Sequence, residues 1–178
     1  MAGEIRVLIS EQQIAKRLDE LAEVIGRDYK NRKLHCIGVL KGSFIFMADL
    51  VRRLPMDVSC DFLTISSYGD LTKSSGVVKL LTDLTVPIEG KDVLVVEDIV
   101  DTGLTLDYLL GNLKTRNPAS LRVATLLHKP TNKKIEVPIH YCGFTVPDRF
   151  VVGYGLDNRQ LQRNLPYIGW VPGDGDNE

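Results

Sequence analysis

The segment from Val93 to Thr105 constrains the fold more than any other stretch of the chain. Its sequence is VLVVEDIVDTGLT. The apolar, mostly β-branched start favours a strand covered on both faces of a sheet. Two adjacent carboxylates (Glu97 and Asp98) follow, and Asp101 then opens a turn. Leucines at helical spacing come next: Leu106, Leu109, Leu110 and Leu113. The segment therefore predicts a strand, an acidic loop and a helix, with the turn at the mouth of the helix, where an anion is favoured.

Asp101 has two interpretations at this point. Asp and Thr are common helix N-caps, so Asp-Thr-Gly is also what an ordinary helix start contains. Carboxylates crowded into one loop repel one another, however, unless hydroxyls, a metal ion or a cationic centre of a substrate meets them. Helix capping and chemistry both stay open for Asp101.

Length, charge and cysteine usage limit the class of protein. The chain has 178 residues and a formal net charge of −1, which suits one domain with a sizeable core and gives no bulk attraction to nucleic acid or a membrane surface. Its three cysteines are scattered, without a C-x-x-C pair, as in a cytoplasmic protein with reduced thiols. The N-terminus lacks an apolar signal region, and no apolar run has the length of a membrane span. We expect a cytoplasmic, single-domain protein over residues 1–178, with an acidic, glycine-rich tail (173–178) that is disordered.

Strands and helices alternate along the rest of the chain. Ser10 and Gln13 form the pattern of a capping box at the start of a first helix, and a second helix is predicted from Phe44 to Leu54, before Pro55. Further strands are predicted at 7–9, 34–40, 58–67, 77–81, 121–127 and 139–144. This alternation predicts an α/β fold, a mainly parallel, twisted sheet flanked by helices. Within it, we interpret His35 as a structural residue.

The ends of the predicted strands carry most of the charged and glycine-bearing turns. In open α/β sheets, ligands bind outside the carboxyl ends of the strands. The segments at those ends are Lys41-Gly42-Ser43, Glu97-Asp98, Asp101 to Thr105, Lys129 and Asp157. Two lysines, several carboxylates and two glycine turns on one rim suit a phosphorylated sugar with a divalent cation.

Five segments in this order resemble the hypoxanthine-guanine phosphoribosyltransferases, within the type I phosphoribosyltransferase family. They are LKGS (40–43), SSYG (66–69), VEDIVDTG (96–103), LHKP (127–130) and PDRFVVGYGLD (147–157). The resemblance implies the type I fold, with a small hood and a flexible loop. It also implies transfer of the 5-phosphoribosyl group from PRPP to N9 of a 6-oxopurine, giving IMP or GMP and pyrophosphate, in a homodimer or homotetramer.

The resemblance also implies roles for the residues of the PRPP half of the site. Asp101 is the base that handles the proton at purine N7. The 5′-phosphate is cradled by Thr102, Gly103, Leu104 and Thr105. Relatives often have a polar residue at the position of Leu104. Glu97 and Asp98 hold the ribose hydroxyls, where Mg²⁺ also binds. Lys41 and Gly42 form the pyrophosphate loop, where the Leu40–Lys41 bond can be cis. Arg163 reaches pyrophosphate, with Arg159 as the nearby competitor.

The remaining implied roles concern the purine and the lid. Lys129 donates to the purine O6, which favours hypoxanthine or guanine over adenine. Phe150 stacks on the ring, the Val151 backbone meets the base edge, and Asp157 completes the purine site and binds a second Mg²⁺ through water. Ser67 and Tyr68 begin a polar lid that excludes water.

Two alternatives remain. One is a regulatory protein that keeps the fold to sense PRPP and binds nucleic acid, but the chain shows neither an added DNA-binding module nor a basic charge balance. The other is a phosphoribosyltransferase that prefers xanthine. Lys129 and Phe150 do not determine what is recognised at purine position 2.

Overall fold

The computed structural model describes residues 4–68 and 77–172, but not the side chains of residues 66–68 and 77–78. The predicted lid (69–76) and the predicted disordered tail (173–178) lie outside the described residues. The nine strands within this part are β1 Arg6–Ile9, β2 Leu34–Leu40, β3 Val58–Tyr68, β4 Val77–Thr82, β5 Asp92–Val100, β6 Ser120–His128, β7 Tyr141–Thr145, β8 Val151–Val152 and β9 Ile168–Trp170. The three α-helices are α1 Glu11–Asp28, α2 Phe44–Val51 and α3 Leu104–Lys114.

A six-stranded sheet forms the centre of the molecule, in the order β4-β3-β2-β5-β6-β7. All pairs are parallel except β3 with β4. The two middle strands, β2 and β5, are paired on both sides, so their backbone polar groups are satisfied within the sheet. The predicted α/β fold with a mainly parallel sheet is confirmed.

Each face of the sheet supports its own apolar core. Leu94 and Val96 of β5 pack with α1 and α2 on one face, whereas Val93 and Val95 pack with α3 on the other. This alternation follows from the period of two along a strand. Both faces of β5 are therefore covered, as its continuous apolar start predicts.

A second sheet has the order β1-β9-β8 and is antiparallel. It joins the N-terminal strand to two strands close to the C-terminus, and it corresponds to the expected small hood. Within the described residues, no helix has the length and apolarity needed to cross a membrane.

The local predictions had different outcomes. The capping box of α1 is confirmed: the amide of Gln13 donates to Ser10 Oγ at 3.2 Å, and the amide of Ser10 donates to Gln13 Oε1 at 2.8 Å. Helix α2 ends at Val51 rather than at the predicted Leu54. Amides 53 and 54 bond to carbonyls three residues back, because the residue before Pro55 avoids the helical conformation.

The loop after the central strand was predicted to begin at Glu97, and this start is wrong. Strand β5 continues to Val100, and it pairs Glu97 with Thr125 and Ile99 with Leu127 of β6. Glu97 and Asp98 are therefore strand residues. Their carboxylates are held by the sheet itself, which is more rigid than a loop.

Candidate active site

A cavity of about 460 Å³ lies at the carboxyl ends of β2 and β5. Most of the residues predicted for the PRPP half of the site line it, and these are Lys41, Gly42, Glu97, Asp98, Asp101, Thr102, Gly103, Thr105 and Arg163. Asp157, which was predicted for the purine and a second Mg²⁺, lines it too. The shared rim inferred from strand ends therefore exists. Ile65, Ile99 and Leu106, which sequence reasoning did not propose for the site, supply part of its apolar wall.

The turn between β5 and α3 places Asp101 beside the cavity. The N-cap of α3 is Gly103, with φ of 83°, and the hydroxyl of Thr102 accepts from the amide of Leu104 at 3.4 Å. The helix-cap interpretation of Asp101 is therefore wrong. Its Oδ1 is buried and has no hydrogen-bond partner among the described residues. A buried carboxylate oxygen without a donor is uncommon in proteins, so the hydrogen-bonding capacity of this atom is not used by the described residues.

Only a glycine fits at position 103, because another segment of the chain lies close to this turn. A Cβ at this position would lie 2.5 Å from the carbonyl oxygen of Ile135. The segment around Ile135 is held against the turn, because the amides of residues 134 and 135 donate to the carbonyl oxygen of Thr102 at 2.9 and 3.2 Å. The turn before α3 is thereby kept at the cavity.

Glu97 and Asp98 form an acidic pair at the end of β5. Glu97 is only 6% exposed. Burial raises its pKa well above the usual range, and the neighbouring charge of Asp98 adds to this shift. Burial also raises the pKa of Asp98, although the amide of Ile99 and the charge of Arg163 partly offset the effect. Two such carboxylates need a proton, a cation or donor hydroxyls at the cavity.

Gly42 lets the loop after β2 approach this acidic pair. The Leu40–Lys41 bond is cis, as the resemblance implied. A Cβ on Gly42 would lie 1.6 Å from Asp98 Oδ2, so that any side chain here would displace the carboxylate. Gly155, with φ of 103°, is equally close from the other side, since its Cβ would lie 2.1 Å from the carbonyl oxygen of Gly42. The Gly42 loop thus packs directly against the Asp98 carboxylate and against the backbone at Gly155.

Arg163 crosses the cavity to Asp157. The two side chains form an ion pair of 2.7 Å, and Arg163 Nη1 also donates to the carbonyl oxygen of Gly155 at 2.7 Å. Its competitor Arg159 has a positive φ and does not line the cavity. Gln160, which sequence reasoning missed, accepts from Lys41 Nζ at 3.2 Å. A polar loop residue gives no signal for such a role in the sequence.

The predicted purine residues other than Asp157 do not line this cavity. Lys129 is 8% exposed, with Nζ 3.9 Å from Asp148 Oδ1. Its amide donates to the carbonyl oxygen of Val100 at 2.9 Å, which places Lys129 beside the Asp101 turn. Phe150 is 55% exposed, and Val151 is buried in β8. Leu104, in the first turn of α3, also lies outside the cavity lining.

A parallel sheet whose central strands end in a glycine loop, an acidic pair and an Asp-Thr-Gly turn defines the class of the type I phosphoribosyltransferases. Residues 8–159 match the family model of the phosphoribosyl transferase domain. The chain belongs to this family and, within it, to the hypoxanthine-guanine phosphoribosyltransferases.

Individual hypoxanthine-guanine phosphoribosyltransferases are similar to the chain over nearly its whole length. A hypoxanthine-guanine phosphoribosyltransferase of Dictyostelium discoideum is 51% identical over 167 residues, covering 92% of this chain and 93% of that protein. The enzyme of the same name from Bacillus subtilis is 47% identical over 164 residues, covering 92% and 91%. A crystal structure of a hypoxanthine-guanine phosphoribosyltransferase from Bacillus anthracis has a TM-score of 0.91 and 48% identity, covering 95% of this chain and 100% of that one.

Proposed function

We propose that this cavity transfers the 5-phosphoribosyl group of PRPP to N9 of hypoxanthine or guanine, with release of pyrophosphate and formation of IMP or GMP. The observation that carries the proposal is the convergence of a lysine loop, an acidic pair and the Asp101 turn on one cavity. Departure of pyrophosphate builds positive charge on the ribose ring. Carboxylates already in place at the ring stabilise that charge without reorganisation.

Asp101 is the proposed base. As N9 bonds to the ribose carbon, the purine must lose a proton. Asp101 takes this proton from N7, so that the lone pair of N9 attacks while positive charge does not build up on the base. The partnerless Oδ1 supports this role, because no protein donor among the described residues competes for it.

The turn after Asp101 is the proposed 5′-phosphate site. The amides of Thr102, Gly103, Leu104 and Thr105 and the two threonine hydroxyls are the proposed donors, since the first amides of a helix lack internal partners. A backbone contact also explains how Leu104 can contribute without lining the cavity.

Lys41 and Arg163 are the proposed contacts of pyrophosphate, together with the backbone of Gly42. Arg163 is fixed by Gly155 and Asp157, so its guanidinium is already oriented towards the cavity. Among the described residues, the side chain of Lys41 bonds only to Gln160, and it can move to the leaving group at little cost.

Lys129, Phe150, Val151 and Asp157 are the proposed purine contacts. A lysine that donates to O6 selects a carbonyl over the amino group of adenine, because two donors cannot pair. The exposed ring of Phe150 is free to stack on a base. Ser67 and Tyr68 end β3 and lead into residues 69–76, which we propose as the lid.

Mg²⁺ fits the residues present. No group of three or more His, Cys, Asp or Glu side chains suited to a metal ion occurs among the described residues. Mg²⁺ needs no such cage, since it commonly binds one or two carboxylates together with substrate oxygens and water. Glu97 with Asp98 and, separately, Asp157 are the proposed ligands, and the bound ion would neutralise charge on PRPP and pyrophosphate.

A purine competition assay tests the function. The protein is mixed with PRPP, Mg²⁺ and equal amounts of hypoxanthine, guanine and xanthine, with adenine as the control, and the nucleotides formed are separated. We expect IMP and GMP to dominate and AMP to be absent. Failure to release pyrophosphate with any purine would overturn the proposal, and dominant formation of XMP would favour the xanthine alternative.

We also propose a cytoplasmic homodimer or homotetramer. The support is the family resemblance, and in the Trypanosoma cruzi hypoxanthine phosphoribosyl transferase, which is 41% identical, the C-terminal region has a role in the oligomeric state. Light scattering after size exclusion would give the mass of the assembly, and a monomeric mass of 19.9 kDa would contradict the proposal.

A further inference from the structure

A second cavity, of about 390 Å³, lies at the opposite pole of the sheet. It sits where β2 and β5 begin, and its polar lining consists of Arg32, Lys33, His35, Ser59, Lys91 and Asp92. Strand β2 has seven residues, so a rise of about 3.3 Å per residue puts His35 roughly 20 Å from the Lys41 loop. The cavity is therefore separate from the catalytic rim.

His35 is the most unusual group in this second cavity. It is 2% exposed, and its Nδ1 lies 2.8 Å from Ser59 Oγ. Its Nε2 is buried and has no hydrogen-bond partner among the described residues, which is uncommon for a buried ring nitrogen. Burial and the charge of Lys91 lower the pKa of His35, against an opposing effect of the Asp61 charge, and the lowered pKa favours the neutral ring. In the tautomer in which the Ser59 hydroxyl donates to Nδ1, Nε2 of the neutral ring carries the hydrogen and is a donor.

The charges around His35 are mostly positive. Three cationic side chains line the cavity with a single carboxylate, Asp92. Asp92 already accepts from Ser120 Oγ at 2.6 Å and pairs with Arg32 at 3.4 Å. In the part of the chain that the structure describes, neither Lys33 nor Lys91 forms an ion pair. Two ammonium groups are thus left without a counter-charge beside a buried donor.

We propose that this cavity binds the phosphate group of a small phosphorylated molecule, held by Nε2–H of His35 and by the ammonium groups of Lys33 and Lys91. Charge-assisted bonds from several donors to one oxyanion are the usual basis of such recognition. The volume falls in the range of small-molecule sites, about 300–1,000 Å³, and so leaves room beyond a phosphate group.

Histidine NMR of the intact protein tests the proposal. The chain has only three histidines, so ¹⁵N-labelling of histidine alone gives a spectrum in which the His35 ring can be assigned. Inorganic phosphate and glycerol 3-phosphate are the probes, with glycerol as the uncharged control. We expect the Nε2 resonance of His35 to shift saturably with both phosphate probes and not with glycerol.

A matched pair of lysine variants tests whether phosphate binds at this cavity or is attracted only by the positive charge of the protein surface. Lys91→Gln should raise the Kd measured at His35 by about tenfold or more, the usual effect of losing one charge-assisted bond. Lys16→Gln removes the same charge from an exposed position of α1 that does not line the cavity, and it should leave the Kd unchanged. Both variants should retain wild-type phosphoribosyl transfer, which also shows that they fold.

The outcomes are distinct. Tighter binding of glycerol 3-phosphate identifies a phosphate ester as the ligand type, whereas tighter binding of inorganic phosphate identifies the free ion. Both results support a phosphate site. The proposal is overturned if the His35 resonance does not reach saturation at tens of millimolar phosphate probe. It is also overturned if Lys91→Gln and Lys16→Gln weaken phosphate binding equally. Both outcomes are independent of the transferase assay.

Discussion

Asp101 has a buried carboxylate oxygen, Oδ1, without a hydrogen-bond partner among the described residues. Asp101→Asn keeps the shape of the side chain but removes the base. We expect kcat to fall by about 10²–10⁴, the usual contribution of a general base, with a much smaller change in the Kd of PRPP. Steady-state kinetics and PRPP titration measure the two quantities. Asp107→Asn, the same change on the exposed surface of α3, is the control and should be active. Equal losses of kcat and PRPP affinity would argue against the base.

Gly42 is a second residue whose role follows from one contact. In Gly42→Ala, the new Cβ would overlap Asp98 Oδ2, so the carboxylate must leave its place. We expect kcat/KM for PRPP to fall by tenfold or more, about 1.4 kcal/mol of transition-state stabilisation. The control is Gly111→Ala on α3, where a Cβ meets nothing within 4 Å. It should keep full activity and gain up to about 1 kcal/mol of stability, because alanine favours a helix. Wild-type kinetics in Gly42→Ala would contradict this account.

At the scale of the element, α1 depends on its N-terminal cap. Ser10→Ala removes the acceptor for the amide of Gln13, and it should lower the free energy of unfolding by about 0.5–2 kcal/mol. Urea denaturation measures this change. Ser10→Asp keeps an acceptor at the N-cap and should restore most of the stability. Neither variant should change kcat, since α1 lies outside the cavity lining. A loss of the same size in Ser10→Asp would show that the cap bond is not what matters.

At the scale of the whole molecule, the acidic pair at the cavity should reduce stability in favour of function. Burial raises the pKa of Glu97, and a raised pKa in the folded state means that its contribution to stability is lost as the pH rises through that value. Glu97→Gln removes this charge without changing the volume. We expect its Tm to fall less than that of the wild type between pH 5 and 9. At pH 8 the variant should melt a few degrees higher, since about 1 kcal/mol corresponds to roughly 2–4 °C in a domain of this size.

The same variant should have weak PRPP turnover, because the ribose site loses a carboxylate. Glu89→Gln, on an exposed loop, is the control and should match the wild type in both Tm and kcat. Calorimetry in the absence of Mg²⁺ and PRPP, at several pH values, gives the comparison. Parallel Tm curves for Glu97→Gln and the wild type would contradict the stability argument.

Local sequence patterns were enough to predict the elements of the main sheet and the rim on which the site is built, although not strands β8 and β9 of the second sheet. The apolar run before Glu97, the leucine spacing of α3 and the Ser10 cap are local patterns, and local patterns follow from the periodicities of strands and helices. The rule that parallel strands present their carboxyl ends at one edge then groups Lys41 with the Asp101 turn.

How these groups meet follows from packing between distant segments, which no local pattern describes. That Gly42 fits against Asp98, that Gly103 rather than Asp101 caps α3, and that Gln160 holds Lys41 all depend on contacts between distant segments. The end of β5 at Val100 likewise depends on pairing with β6. Periodicity describes one element at a time, whereas close approach and hydrogen bonding across segments depend on the packing of all of them. His35 shows the same limit: its place in a strand was predictable, but its partnerless Nε2 was not.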